Sequence, residues 1–416
     1  MQKMKDSGVE WLGKVPAGWE ILEQKWLMRK VKRICAKWSG ENVLSLTTAG
    51  VIIRDVESGK GKFPATFDGY QYIASGNLVL CLFDIDVTPR CVGLAVCDGV
   101  ISPAYSQYEM LEGANSRYYN YYLRAIDDRK LYLGLTSTLR HSFTPDLFDQ
   151  IKALRPPLDE QLKIADYLDA ECTEIDRAVD AAEKSIEEYK TYRNSVIFQA
   201  VTKGVDPDVP MKDSGVEWLG AIPEGWSITP IKHLFYISKT IAGTTGFDVL
   251  SITQKGLKVK DIKSGEGQIA ADYSNYQIVE PGDFAMNHMD LLTGWIDLAQ
   301  QTGVTSPDYR VFKARISSLD KRYFLRVFQH YYSARIFYGF CKGVSGKGRF
   351  RLPADAFKSI QIPVPPYETQ CRIADYLDAK CVGIDKVVEA KQSVVEDLKA
   401  YKQSLIYEVV TGKREV

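Results

Sequence analysis

The heptapeptide IADYLDA stands at residues 164–170 and again at 373–379. Seven identical residues separated by 209 positions mark an internal duplication. A duplication constrains a chain strongly, because both copies must satisfy the same local folding rules. The rest of the chain follows the same register. MKDSGVEWLGKVPAGW (4–19) returns as MKDSGVEWLGAIPEGW (211–226), with 13 of 16 positions identical. LSLT at Leu44 matches LSIT at Leu250, SGKG at Ser58 matches SGEG at Ser264, and SPAY at Ser102 matches SPDY at Ser306. RPPLDEQLKIADYLDA (155–170) matches VPPYETQCRIADYLDA (364–379). The offset stays between 204 and 209 throughout.

The copies diverge unevenly. The box near each start and the segment near each end are close copies, whereas residues 21–157 and 227–366 share scattered landmarks. A duplicated frame therefore holds two different inserts, and a difference in function is expected to lie in the inserts.

After Pro156-Pro157 the pattern becomes helical, with Asp159 suited to a cap and acidic residues in the first turns. Leu168, Ile175, Ala182, Tyr189 and Val196 fall seven apart. Cys172, Val179, Ile186, Arg193 and Ala200 form a second line four residues on. These are the a and d positions of a coiled-coil seam. The second copy keeps the register: Leu377, Ile384, Lys391, Leu398 and Leu405, then Cys381, Val388, Val395, Lys402 and Val409. The lapses are Arg193, Lys391 and Lys402, whose long stems can snorkel. A helix with such a stripe is not stable alone, so the two are expected to pair. The first runs from insert one to insert two and the second starts at insert two, so the simplest pairing is antiparallel. That arrangement puts one insert at each end of a rod, related by a pseudo-two-fold axis, and returns the end of the second helix to the first box. Duplex DNA, with its oppositely running strands, has matching symmetry.

At 416 residues, 45% hydrophobic and 25% charged, the chain is large enough for two or three cores and has a usual soluble composition. No apolar run approaches a membrane span, and the start lacks the apolar core of a signal peptide. A cytoplasmic, membrane-free protein is expected. The eight Cys include no C-x-x-C and the four His are scattered, so neither a disulfide framework nor a metal site is expected. Formal net charge is zero, which excludes a generic polyanion binder. The charge is nevertheless uneven. Residues 21–157 hold 17 basic and 14 acidic side chains, 227–366 hold 18 and 11, and 158–200 hold 5 and 11. Basic inserts on an acidic frame suit a nucleic-acid partner, although merely solvated surfaces would give the same tally.

The inserts mix short strand-like runs with short aromatic-rich amphipathic helices, SRYYNYYLRAID and KRYFLRVFQHYYSARIF. Each reads as α+β. Their Tyr residues suit core packing better than base stacking. Candidate DNA-facing residues are basic, amide or hydroxyl groups in Gly-rich loops. The first insert offers Lys60, Lys62, Arg90, Thr138, Arg140 and His141. The second offers Lys258, Lys260, Lys263, Asn287, His288, Lys347, Arg349 and Arg351. No phosphate-binding P-loop, nucleotide-cofactor turn or methyltransferase motif is present, and no catalytic triad can be argued from spacing. DIK at Asp261 and DAK at Asp378 are three-residue patterns that arise by chance. A reader without catalytic machinery needs enzymatic partners.

The two boxes, PP-x-x-EQ-x-x-IA-x-Y-LD before the first long helix, and the two-insert layout together resemble the specificity subunit of type I restriction-modification systems. The likeness runs over essentially the whole chain. The second copy has Thr-Gln where the first has Glu-Gln. The resemblance implies a fold of two globular α+β target-recognition domains separated by two long antiparallel coiled-coil helices. The expected division is 1–157, 158–203, 204–366 and 367–416, as recognition domain, helix, recognition domain and helix. It implies that each domain reads half of an asymmetric bipartite DNA site, while the helices set the spacer and dock two methylation subunits. Those partners would use S-adenosylmethionine to methylate adenine at N6. Restriction/translocase subunits would use ATP and Mg²⁺, and this chain would carry no cofactor or catalysis of its own. Three other readings stay open: a coiled-coil assembly scaffold, a nuclease acting alone, and a specificity chain for another restriction-modification class.

Overall fold

The structure is a computed structural model and describes residues 3–57, 64–136, 141–262, 272–341 and 350–416. It falls into two compact units, Met1–Glu183 with Ser393–Val416, and Lys184–Gln392.

In the first unit the repeated box forms a hairpin of Met4–Asp6 against Lys14–Pro16. The Asp6 carboxylate accepts from Gly8 N at 2.9 Å. Gly8 and Gly13 take φ of +65° and +63°, which glycine adopts without steric cost. Beyond it lies a four-stranded antiparallel sheet of β1 (Met28–Val31), β2 (Leu78–Leu80), β3 (Val92–Leu94) and β4 (Ser106–Met110), in the order β1-β4-β2-β3. Three strand pairs accompany it: Leu44–Thr47 with Gly50–Ile53, Gln71–Ile73 with Gly99–Ile101, and Glu20–Glu23 with Lys152–Arg155. Helix α1 (Ser116–Asp128) is capped by Asn115, whose side chain accepts from Tyr118 N. Tyr118, Tyr119, Tyr121 and Tyr122 are buried in the core, as the amphipathic pattern predicts. The first long helix, α2 (Leu158–Lys203), begins in this unit.

The second unit repeats this plan strand for strand. Its sheet is β5 (Phe235–Ser238), β6 (Phe284–Met286), β7 (Ile296–Leu298) and β8 (Arg310–Ala314), in the order β5-β8-β6-β7. The accompanying pairs are Leu250–Thr253 with Gly256–Val259, Gln277–Val279 with Gly303–Thr305, and Ser227–Pro230 with Gln361–Val364. Helix α3 (Lys321–Ser333) stands where α1 stands in the first unit, and α4 (Tyr367–Val410) begins here. The inserts therefore differ in residues and not in topology. One latch shows how a shared plan survives divergence. The buried Gln71 amide donates to Ser102 O and Tyr105 O, and the buried Gln277 amide donates to Ser306 O and Tyr309 O. The SP-x-Y landmark is the turn these amides hold.

Within each unit one helix start meets the other helix's end. In the first, Lys402 donates to Asp176 at 2.6 Å and Lys399 to Glu183 at 2.7 Å, so the two segments run antiparallel. In the second, Arg193 meets Asp385 at 2.9 Å and Lys391 lies 5.8 Å from the Tyr189 ring centroid. All twenty positions of the four seven-residue lines are buried or half-buried, including Leu168, Ile175, Val179, Ile186, Leu377, Ile384, Val388, Val395, Leu398 and Leu405. The three charged lapses are not merely snorkelling, since each has an acidic or aromatic partner across the helix pair.

The identical heptapeptide now has a physical reason. Ile164, Ala165 and Leu168 are buried, as are Ile373, Ala374 and Leu377. Their aspartates face the head helix. Arg117 on α1 donates to Asp166 and Asp169, both at 2.7 Å. Arg322 on α3 donates to Asp375 at 2.8 Å and Asp378 at 3.2 Å. The basic residues beside the tyrosines thus bind the frame.

Candidate nucleic-acid interface

Seven of the fourteen sequence candidates, Lys60, Lys62, Thr138, Arg140, Lys263, Lys347 and Arg349, lie outside the described residues. The structure places the other seven in different surroundings.

In the first unit, Arg90 is turned toward the head and lies 3.8 Å from Asp128, with its side chain 13% exposed. Burial is the main cause of its lowered pKa, with the Arg124 guanidinium adding to it. Arg90 is thus part of an internal ion pair with α1, contrary to its reading as a presented cation. His141 has a left-handed backbone, φ +41°, and its Nδ1 lies 2.7 Å from Thr136 Oγ1. A cleft of about 420 Å³ opens elsewhere on this unit, lined by Arg33, Glu41, Asn42, Tyr72 and Asp98 among others. None of the sequence candidates lines it. Arg33 and Tyr72 sit in or beside strands of three or four residues, too short for alternation to signal a face.

In the second unit, Lys258 lies exposed on the Gly256–Val259 strand, paired with Ser251. Lys260 and Asn287 come together on a cleft of about 500 Å³, which Ser251, Tyr276, Asp308 and Tyr309 also line. The Asn287 side-chain oxygen accepts from Met289 N at 3.2 Å and Asp290 N at 3.3 Å, and its carbonyl accepts from the Tyr332 hydroxyl at 2.7 Å. These bonds fix the loop after β6 against α3.

His288 is not a presented side chain either. It is 7% exposed. Its pKa falls to about 3, chiefly through burial and then through the Arg310 and Arg351 guanidiniums. It is therefore neutral near pH 7, because burial and neighbouring cations both disfavour its charged form. Arg310, which the sequence reading passed over, is 5% exposed. It donates to Leu352 O at 2.8 Å and lies 4.9 Å from the Phe357 ring centroid. Burial, with Arg351 adding to it, lowers its pKa to about 10. Arg351 itself is exposed. The usable sequence signal for Arg310 was the residue after the shared SP-x-Y turn, which is Ser106 in one copy and Arg310 in the other.

No group of three His, Cys, Asp or Glu among the described residues is placed to hold a metal ion. No described helix is long and apolar enough to cross a membrane. Cys172 and Cys381 are buried at equivalent turns of the two long helices.

No protein-family model matches the chain. Curated relatives do. The type I restriction enzyme MjaVIII specificity subunit of Methanocaldococcus jannaschii is 24% identical over 325 residues, 70% of this chain and 72% of the relative. The MjaX specificity subunit of the same organism is 22% identical over 436 residues, 97% of this chain and 96% of the relative. Among solved structures, a chain from a study of complex assembly and conformational transition of the type I R-M system superposes with a TM-score of 0.69. It is 14% identical and covers 96% of this chain and 99% of its own. The HsdS subunit from Thermoanaerobacter tengcongensis superposes at 0.51, 14% identical, over 96% and 98%. In sequence the chain is thus similar to specificity subunits of type I restriction enzymes, and in fold it is similar to the solved HsdS subunit.

Proposed function

We propose that the chain is the sequence-reading subunit of a type I restriction-modification complex. Each insert reads one half of an asymmetric, split DNA site. The two long helices set the unread spacer and dock two methylation subunits, with residues 1–157 and 204–366 as recognition domains and 158–203 and 367–416 as helices. Catalysis resides in the partners. Methylation subunits use S-adenosylmethionine on adenine N6, and restriction/translocase subunits use ATP and Mg²⁺. The chain itself holds no cofactor and works in the cytoplasm.

One observation carries this reading. Among the described residues the two units share every strand pairing, while their clefts open at different places in that common plan, and Asn287 and Asp308 of the second stand where the first unit has Cys81 and Ala104. A common scaffold with private surfaces is what two readers of unlike half-sites need, and direct readout depends on such side chains. A surplus of basic residues in both inserts suits the phosphate backbone.

The test is methylation mapping. The chain is expressed with its methylation subunit in a host free of adenine methylation, and modified adenines are located by sequencing. One asymmetric split motif is expected, and exchanging residues 21–157 for those of another specificity chain changes one half of it. A folded, partner-bound chain that yields no motif overturns the reading and leaves an assembly scaffold.

A further inference from the structure

The second unit buries positive charge without a matching acid. Arg310 is 5% exposed and its Nη1 has no hydrogen-bond partner. His288 is 7% exposed and its Nδ1 has none either. The two are tied through one residue, since His288 O accepts from Leu352 N at 3.0 Å and Leu352 O accepts from Arg310 Nη2 at 2.8 Å. Arg351, the residue before Leu352, is exposed and within electrostatic reach of both. No carboxylate among the described residues pairs with Arg310, and residues 342–349 contain no acid in their sequence. Leaving a buried guanidinium nitrogen unbonded is costly, and most such groups in folded proteins are satisfied. The Phe357 ring offsets part of that cost through a cation–π contact. It does not occupy Nη1.

The cluster is also private to one copy. Equivalent hydrogen bonds set the register: Phe143 N donates to Leu82 O in the first unit as Leu352 N donates to His288 O in the second. Arg310, His288 and Arg351 therefore stand where the first unit has Ser106, Leu82 and Ser142. There the same region encloses an apolar cavity of about 40 Å³, with Leu82 and Phe143 in its wall. A requirement of the frame would appear in both copies.

We propose that Arg310 and Arg351, with the His288 ring beside them, form a phosphate-oxyanion seat belonging to the second unit alone. Paired guanidiniums suit phosphate oxygens through charge-assisted, geometrically fixed hydrogen bonds. The oxyanion is either a backbone phosphate of bound duplex or a free phosphate. The first source rests on the DNA-reading role proposed above; the seat itself does not.

The full chain with isotope-labelled histidines is titrated with inorganic phosphate and followed by NMR, the His288 ring being assigned from its loss in His288→Gln. Phosphate is expected to move the His288 resonance and raise the His288 pKa, while the resonances of the other three histidines stay where they are. Arg351→Gln, at an exposed position, should require about ten-fold more phosphate for the same shift. In parallel, duplex carrying the mapped motif is bound across a salt series. If the oxyanion is a backbone phosphate, Arg351→Gln weakens binding on all sequences alike and lowers the salt slope by about one. If phosphate moves His288 while duplex binding is the same in both proteins, the seat stands and its ligand is a free phosphate. If wild type binds no duplex, the DNA-reading role falls while the phosphate titration still decides the seat. An unmoved His288 resonance, or an Arg351→Gln titration equal to wild type, overturns the proposal.

Discussion

Tyr118 donates its hydroxyl to the carbonyl of Val410 at 2.9 Å, joining the first head helix to the end of the last helix across 292 positions of chain. In the second unit Tyr323 makes the same bond to Val201 at 3.1 Å, at the end of the other long helix. The end of α4 is thus seated on its head as the end of α2 is on its own. Both tyrosines are fully buried. Removing one hydroxyl leaves a helix-terminal carbonyl without a partner, a loss of about 1–2 kcal/mol. Tyr118→Phe is therefore expected to speed hydrogen exchange at residues 405–411 roughly ten-fold while leaving α3 unchanged. Equal acceleration in both units would refute a local role for the bond.

Gln161 is held more tightly than its neighbour Glu160. The buried Gln161 accepts from Asn115 N at 2.8 Å and donates to Gly113 O at 2.9 Å and Pro156 O at 2.8 Å. Gln370 repeats this with Asp320 N and Pro365 O. A carboxylate has no proton to donate to those carbonyls. Gln161→Glu should lose about 3 kcal/mol or more, as a buried unmatched charge does. Glu160→Thr, which copies the residue of the second half, removes the carboxylate that accepts from the Trp19 indole, and about 1 kcal/mol is expected. Denaturant midpoints of the two variants check the ranking, and a reversed order would exclude the latch as the reason for the shared Gln.

Lys402 on the helix seam is 9% exposed, while the Asp176 side chain that it meets is 61% exposed. The pair should respond unequally to mutation. Lys402→Met replaces a buried ammonium with an apolar side chain of similar length and leaves Asp176 in water, so stability should change by less than about 1 kcal/mol. Asp176→Ala strands the buried ammonium and should lose about 1–2 kcal/mol, discounted because its partner is solvated. Thermal unfolding of both variants decides, and equal losses would contradict the asymmetry.

The frame was legible in the sequence because its rules are periodic. Leu168 and Ile175, Cys172 and Val179, and Leu377 and Ile384 each stand seven residues apart, and burial follows that repeat. The partners of Arg193 and Lys402 were not legible, since Asp385 and Asp176 lie on the other helix and pairing depends on register. The shared plan of the heads was hidden for a different reason. Strands of three to five residues leave little alternation to read, and the latch of Gln71 or Gln277 depends on contacts some thirty positions away. Among the site candidates, a loop reading of MNHMD brought Asn287 to the cleft but did not reveal that His288 is buried. A local pattern does not report that the residue after Asn287 turns inward against Arg310. Arg90 was misread because Asp128, its partner, lies on a helix 38 positions later.

Two histidines make the second unit acid-sensitive. His288 and His330 have pKa values lowered to about 3 and about 4 from 6.5, burial being the first cause in each. The unfolded chain takes up protons below pH 6.5 that these buried rings do not. Stability is therefore fully present above pH 6.5 and falls as pH drops toward 4 and 3. At pH 5 each ring contributes a loss of about 2 kcal/mol. His330 lies in α3 and packs against Phe198, with ring centroids 5.1 Å apart. His330→Gln should thus reduce the loss of α3 protection between pH 7 and pH 5 by about 2 kcal/mol, after correction for intrinsic exchange rates. Phosphate separates the two contributions. An oxyanion against Arg310 and Arg351 raises the His288 pKa toward the unfolded value and shrinks its share of the acid loss, while the His330 share is unchanged. An acid response identical with and without phosphate would argue against an anion at the His288 side, and one identical in wild type and His330→Gln would remove His330 as a cause.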